Sequence, residues 1–321
     1  MVEMNTDKSL VALNTSILAA GSELNPILNE WIEHLDLLVN TGEISSATRQ
    51  TYREGLRHFL DWHQGKSVTT QNTIREWVSD LRGAFNNATV RVWFSGLRAF
   101  FVWATDSHYI PNNPTDGIKL GKRTDSRKHK RSPLTDIEVR RVLAAPNNTV
   151  VGTRDRAILY TMAFTAARTV EIHRLDLKDV HTEGNSIVLD VYGKGEKEAD
   201  QWMVLSNHKA QTVLYEWLSV RGDETGPLFT SLSPRTMGKR LSLSAIREMI
   251  KSYYKVAGVT GGIKTTHSLR HSAITNAIKH KLPPTKAQSM ARHKSLETTM
   301  IYYHEEDRKT NPAEEYIDYG E

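Results

Sequence analysis

The sequence predicts a mainly helical protein with a small β-sheet, divided into two domains. Three observations predict it. Residues 24–105 carry apolar side chains at helical spacing in four successive stripes. Ile110-Pro111-Asn112-Asn113-Pro114 then breaks the pattern with residues that end helices and favour turns. A strand-like texture appears only between Asn185 and Leu205. At 321 residues the chain is long enough for about two domains.

Taken in order, residues 1–23 are polar and aperiodic, are expected to be flexible, and are too few to form a further domain. The first helical stripe is Ile27, Trp31, Leu35 and Leu38. Ser45, Ser46 and Thr48, good helix starters, precede the second, Tyr52, Leu56, Phe59 and Leu60. Ile74, Trp77, Val78 and Leu81 form the third. Val90, Trp93, Leu97, Phe100 and Phe101 form the fourth. Four amphipathic helices with short connections make a small helical domain over residues 24–117, in which the aromatic stripes are expected to be core. Arg91 and Arg98 lie seven residues apart, so they are expected to share one exposed face. After a basic linker over residues 118–132, Thr135 and Glu138 read as a capping box that starts a helix. Another helix is expected near Arg154–Thr165, and one from about Thr169. Residues 186–192 and 201–205 read as strands around the polar turn 193–198, and the rest is helical.

Composition narrows the classes of function. Hydrophobic residues are 39% and charged residues 25%, as in ordinary globular chains. No apolar run approaches the roughly 20 residues that span a bilayer, and Met1–Lys8 lacks the pattern of a secretory signal. The absence of cysteine excludes disulfides, thiol catalysis and Cys-based zinc sites, and fits a reducing cytoplasm. The net charge is only +5, but it is unevenly spread. Residues 119–131 hold Lys119, Lys122, Arg123, Arg127, Lys128, Lys130 and Arg131 against Asp125 alone. Such a run suits a solvated connector or an arm that neutralises nucleic-acid phosphates; its place between two folded segments favours the arm. After residue 304 the balance reverses, with seven acids against Arg308 and Lys309.

The chemistry concentrates near the C-terminus. His267-Ser268-Leu269-Arg270-His271, then His293, then Tyr302-Tyr303-His304 join an isolated Arg168 about a hundred residues upstream. Two guanidiniums, several imidazoles and a phenol suit reaction at a phosphate diester, because arginine grips phosphate oxygens through a planar fork. Taken singly, these residues have plainer uses. Arg168 can pair with Glu171 one helical turn on, Lys194 is an ordinary turn lysine, and Tyr303 competes with Tyr302 on chemistry alone. His267 and His271 have a zinc-ligand spacing, but Arg270 would repel the ion and no carboxylate completes the set.

The segment Phe164–Ile172, the turn Gly193-Lys194-Gly195, His267–His271, and Arg292-His293 leading to Tyr302 resemble the tyrosine recombinase (phage integrase) family, as do Arg98–Trp103 and Ile110–Pro114. The resemblance covers roughly residues 25–310. It implies a SAM-like helical core-binding domain followed by a mixed α/β catalytic domain over residues 133–304. It implies Arg168, Lys194, His267, Arg270, His293 and Tyr302 as the catalytic set, with Tyr302 as nucleophile. No metal or cofactor is expected. Double-stranded DNA with paired recombination sites is the implied partner, a homotetramer the implied assembly, with an accessory or partner recombinase possible. The acidic segment 305–321 is expected to dock on a neighbouring protomer. The location implied is cytoplasmic and nucleoid-associated. The rival readings are a type IB topoisomerase and a DNA-binding regulator with an inactive site. Two positions depart from the family: Ala166-Ala167 stand where glycine-leucine is common, and Arg292 where glycine often precedes the second histidine. Arg292 therefore either adds a DNA contact or alters the local backbone.

Overall fold

The structure, a computed structural model, describes residues 26–63, 69–121, 132–192 and 199–310, with side chains up to Tyr303. It separates into two compact units, residues 1–125 and 126–321.

In the first unit the four expected helices are α1 (Pro26–Asn40), α2 (Ser46–His63), α3 (Gln71–Ala84) and α4 (Asn87–Asp106). Side-chain oxygens start α2, α3 and α4. Ser45 accepts from the Thr48 N–H at 3.0 Å, Thr70 and Thr73 form a reciprocal box, and Asn86 accepts from Thr89 N–H at 3.0 Å. Each stripe faces one core, in which Trp31, Leu35, Leu56, Phe59, Ile74, Trp77, Leu97 and Phe100 are buried. The rings meet edge to face, Phe59 on Trp77 at 5.4 Å and Trp31 on Phe100 at 5.7 Å between centroids.

Helices α2 and α4 approach closely at two glycines. A β-carbon added at Gly55 would lie 2.4 Å from the Trp93 carbonyl oxygen, and one at Gly96 would lie 2.9 Å from that of Tyr52. Both clashes are with backbone, which cannot rotate aside. Gly55→Ala is therefore expected to destabilise this unit by about 1–3 kcal/mol, although alanine is the better helix former. Chemical denaturation reads the loss, and an unchanged midpoint would contradict the backbone contact.

The second unit runs α5 (Asp136–Ala144), α6 (Val150–Thr165), α7 (Thr169–Arg174), a 3₁₀ turn (Leu177–Asp179), β1 (Val180–Glu183), β2 (Ser186–Tyr192), β3 (Ala199–Leu205), α8 (His208–Arg221), α9 (Leu243–Val256), α10 (Ser268–Lys279), α11 (Pro284–Ala291) and α12 (Leu296–Thr310). The strands form an antiparallel sheet in the order β1-β2-β3, with Leu189 opposite both Val180 and Met203. Strand β1 escapes the sequence reading because Val-His-Thr-Glu is short and mostly exposed, with no apolar alternation to mark it. The Thr135–Glu138 capping box forms as expected.

Helix α6 is buried over most of its length from Arg154 to Met162 and packs against α8, α10 and β3. Its interior charges are matched locally: Arg154 pairs with Asp155 at 2.6 Å, and the Tyr253 hydroxyl donates to the other Asp155 oxygen at 3.0 Å. Burial and then Asp155 push that phenol up to about 12. The start of α10 is fastened to the chain before α5. The Ser272 hydroxyl accepts from Leu134 N–H at 2.7 Å, and the Lys264 amine donates to the Pro133 carbonyl. These ties set where Arg270 sits. Among the described residues, no helix is long and apolar enough to cross a membrane.

Candidate active site

Two helix ends converge on the site. Helix α6 stops at Ala166, which takes the left-handed conformation (φ 52°, ψ 33°), and the chain turns through Ala167 to Arg168, the N-cap of α7. Helix α11 stops at Arg292, also left-handed (φ 52°, ψ 48°). The carbonyls at both ends lack helical partners and carry the negative end of the helix dipole. Arginines fill both. Arg270, in the first turn of α10 and only 4% exposed, donates from Nη1 to the Ala166 carbonyl at 2.5 Å and from Nη2 to the Ala291 carbonyl. Arg168 donates from Nη2 to the Arg292 carbonyl at 2.8 Å.

Glu171 anchors the cluster. Its Oε1 accepts from Arg168 Nη1 at 2.6 Å, and its Oε2 accepts from the Arg168 backbone N–H at 2.6 Å. The plain salt bridge foreseen for Arg168 is thus present, while the side chain keeps about a third of its surface exposed (33%). Burial would push the Glu171 carboxyl up, but hydrogen bonds and charge from Arg292 and Arg168 more than offset it and hold it below the usual carboxylate range. Burial and then the charge of Arg168 bring the Arg270 guanidinium down to about 10, which still leaves it protonated at neutral pH.

Arg292, left open in the sequence between a DNA contact and an effect on the backbone, turns its side chain inward. Its side chain is buried against Glu171, with Nη2 donating to Oε2 at 2.8 Å. Both departures from the family's glycines, Ala166 and Arg292, fall at φ 52°, a conformation that glycine adopts freely. It costs an L-residue roughly 1–2 kcal/mol.

The histidines and tyrosine complete the site. His293 Nδ1 and the Thr299 hydroxyl hydrogen-bond at 2.9 Å, which fixes the imidazole. The Tyr302 ring lies between His271 and His293, at 5.1 Å and 6.1 Å between centroids, and is 5% exposed. It belongs to a small buried cluster with Ala166, Ile274, Ile278, Ala287 and Ala291. The neighbouring Tyr303 instead gives its hydroxyl to the Leu282 carbonyl, and burial raises its phenol above the usual value.

The structure therefore gathers Arg168, Arg270, His293 and Tyr302. His267, half-buried, caps α10 one turn before Arg270. Lys194 lies outside the described residues, as do Lys122, Arg123, Arg127, Lys128, Lys130 and Arg131 of the linker and, beyond Thr310, the acidic tail. Lys119 is exposed. Arg91 and Arg98 both turn towards the segment 116–121. Arg91 is half-buried and turned onto the Leu120 and Gly121 carbonyls, whereas Arg98 is exposed, 3.9 Å from Asp116. A helical spacing of seven puts two Cβ atoms on one side but does not decide where a long side chain turns. The sequence reading also missed Thr299, and gave His271 no place beside Tyr302. Only the i, i+3 spacing of Arg168 and Glu171 signalled any part of the supporting shell.

The N-terminal SAM-like domain of phage integrases matches residues 28–108, and the phage integrase family matches residues 133–309. The chain belongs to the phage integrase family, and as such is a tyrosine-type recombinase. It is 28% identical to tyrosine recombinase XerC of Corynebacterium glutamicum over 90% of this chain and 91% of that protein. It is likewise 28% identical to XerD of Pseudomonas aeruginosa, over 87% and 93%. In fold it is similar to XerH recombinase bound to a palindromic difH substrate after cleavage (TM-score 0.70, 20% identity, 98% of each chain). It is also similar to a lambda integrase tetramer bound to a Holliday junction (TM-score 0.64, 16% identity, 86% of this chain and 76% of that one).

Proposed function

We propose that this chain is a site-specific DNA recombinase in which Tyr302 cleaves one strand and holds it as a 3′-phosphotyrosyl linkage. The observation that carries this reading is the pairing of two guanidiniums, fixed on the carbonyl ends of α6 and α11, with a tyrosine ring flanked by two imidazoles. Arg168 and Arg270 stabilise charge on the non-bridging oxygens as phosphorus becomes pentacoordinate. His293, set by Thr299, donates to one of those oxygens. His267 takes the phenolic proton as the Tyr302 oxygen bonds to phosphorus. Lys194 returns a proton to the departing 5′ oxygen as the P–O5′ bond breaks. The phosphotyrosyl bond keeps the energy of the phosphodiester, so reversal with a second strand's 5′-hydroxyl rejoins DNA without ATP.

On this reading residues 24–117 clamp DNA, the basic residues of 118–132 neutralise phosphates between the domains, and residues 305–321 dock on a neighbouring protomer. Four protomers on two sites, passing through a Holliday junction, accord with the assembly seen for lambda integrase. The product is integration or excision of a mobile element, or resolution of replicon dimers. Support for Tyr302 over Tyr303 comes from its place nine residues after His293, the spacing of the resembling family.

A nicked suicide substrate, incubated in EDTA, tests the reading. Wild type and Tyr303→Phe are expected to form a covalent adduct, and Tyr302→Phe none. An adduct that survives in Tyr302→Phe, or a requirement for metal, would overturn it.

A further inference from the structure

The buried Arg292 goes beyond the residues that the strand-cleavage reading uses. Its five N–H donors all have acceptors: Nε reaches Glu171 Oε1 at 3.3 Å, Nη1 reaches the Met290 carbonyl at 2.8 Å and that of Thr165 at 3.3 Å, and Nη2 reaches Glu171 Oε2 at 2.8 Å and the Ala166 carbonyl at 3.2 Å. The side chain is only 3% exposed, and it sits on a left-handed residue where glycine would be at ease. A strained position and a buried cation are both unfavourable unless the contacts made there matter.

The contacts connect everything that holds the two phosphate-facing arginines. Through its side chain, Arg292 occupies both oxygens of Glu171, the carboxylate that also holds Arg168 Nη1 and the Arg168 N–H. Through its main chain, it presents its own carbonyl to Arg168 Nη2 and follows the Ala291 carbonyl that accepts Arg270 Nη2. Its guanidinium also ties the end of α11 to the end of α6 at the Thr165 and Ala166 carbonyls, the second of which also accepts Arg270 Nη1. We propose that Arg292 is a positioning residue for strand cleavage. It ties the ends of α6 and α11 together and shares Glu171 with Arg168, so that Arg168 keeps an outward donor face for phosphate instead of closing fully onto the carboxylate.

This inference rests on the strand-cleavage reading and separates from it experimentally. Arg292→Gly retains the left-handed backbone and its carbonyls while removing the guanidinium. In single-turnover cleavage of the suicide substrate, Arg292→Gly should fall roughly ten- to a hundred-fold, the scale expected when a reacting group is displaced by about an ångström. Its affinity for the same DNA should stay within about twofold of wild type, because Arg292 is buried away from DNA. Without the second guanidinium, Glu171 loses the largest contributions that hold its carboxyl down and titrates higher than in wild type. The acid limb of the cleavage rate should therefore move to higher pH, an effect that loss of packing alone does not produce. Arg292→Lys, which restores the charge without the fork, should bring the acid limb back towards wild type and recover part of the rate. If Arg292→Gly fails to fold, the neutral Arg292→Gln variant carries the same two readouts. A folded neutral variant with the wild-type rate and acid limb would overturn the inference. So would a slowed one whose acid limb does not move. A wild-type protein that forms no adduct on DNA it binds would instead overturn the cleavage reading itself.

Discussion

Arg270→Lys is expected to slow single-turnover strand cleavage by about 10²–10³, the cost typical of losing one preorganised donor to an oxyanion. The reason lies in how Arg270 is held. It is 4% exposed and bridges two helix ends, taking the Ala166 carbonyl with one nitrogen and the Ala291 carbonyl with another. A planar fork anchored at two points leaves its remaining N–H groups aimed in one direction. An ammonium in the same place can meet one carbonyl and has no fixed plane, so charge survives while aim is lost. The uncapped carbonyl would also cost roughly 1–3 kcal/mol of stability. DNA affinity measured by fluorescence anisotropy should change little compared with the rate. A lysine variant that cleaved at the wild-type rate would mean that positive charge at this point suffices without geometry.

The largest expected loss of stability belongs to Glu171→Leu. Leucine is close in volume but removes the one carboxylate shared by Arg168 and Arg292, whose side chains are 33% and 3% exposed. Removing one partner from a buried charge pair strands the other, at a typical cost of about 3–5 kcal/mol. For a unit of this size that corresponds to a fall in melting temperature on the order of 10 °C. The pH dependence carries a sign. The folded carboxyl titrates below its ordinary value. Its contribution is therefore complete above the unfolded value near about 4.3, and is lost as pH falls through the lower folded value. Wild type should lose more stability than Glu171→Gln on acidification through that window. Parallel losses in the two proteins would place the stabilisation elsewhere.

The helical part of the fold was legible because each helix of the first unit buries one stripe, so a 3.6-residue period marks it, and because Ser45 and the Thr135–Glu138 box sit where helices begin. Strand β1 was not legible, since pairing with β2 rather than its own pattern makes it a strand. Neither was the close packing at Gly55 and Gly96, which depends on two chains meeting. The candidate site divides in the same way. The side chains proposed to do chemistry announce themselves by type and spacing, as with Arg168, Arg270, His293 and Tyr302. The groups that aim them do not. Arg292 meets Glu171 across 121 positions and Thr165 across 127, and backbone carbonyls carry no sequence signal at all. Thr299, three residues before Tyr302, looks like any helix threonine until His293 is seen against it.

The placement of Tyr302 has a consequence for the idle protein. With 5% of its surface exposed and its ring near two imidazoles and small aliphatic side chains, it is largely shielded from solvent. On the proposed reading, the nucleophile of strand cleavage is thus sheathed in the free chain. The helix that bears it then serves as a scabbard as well as a scaffold.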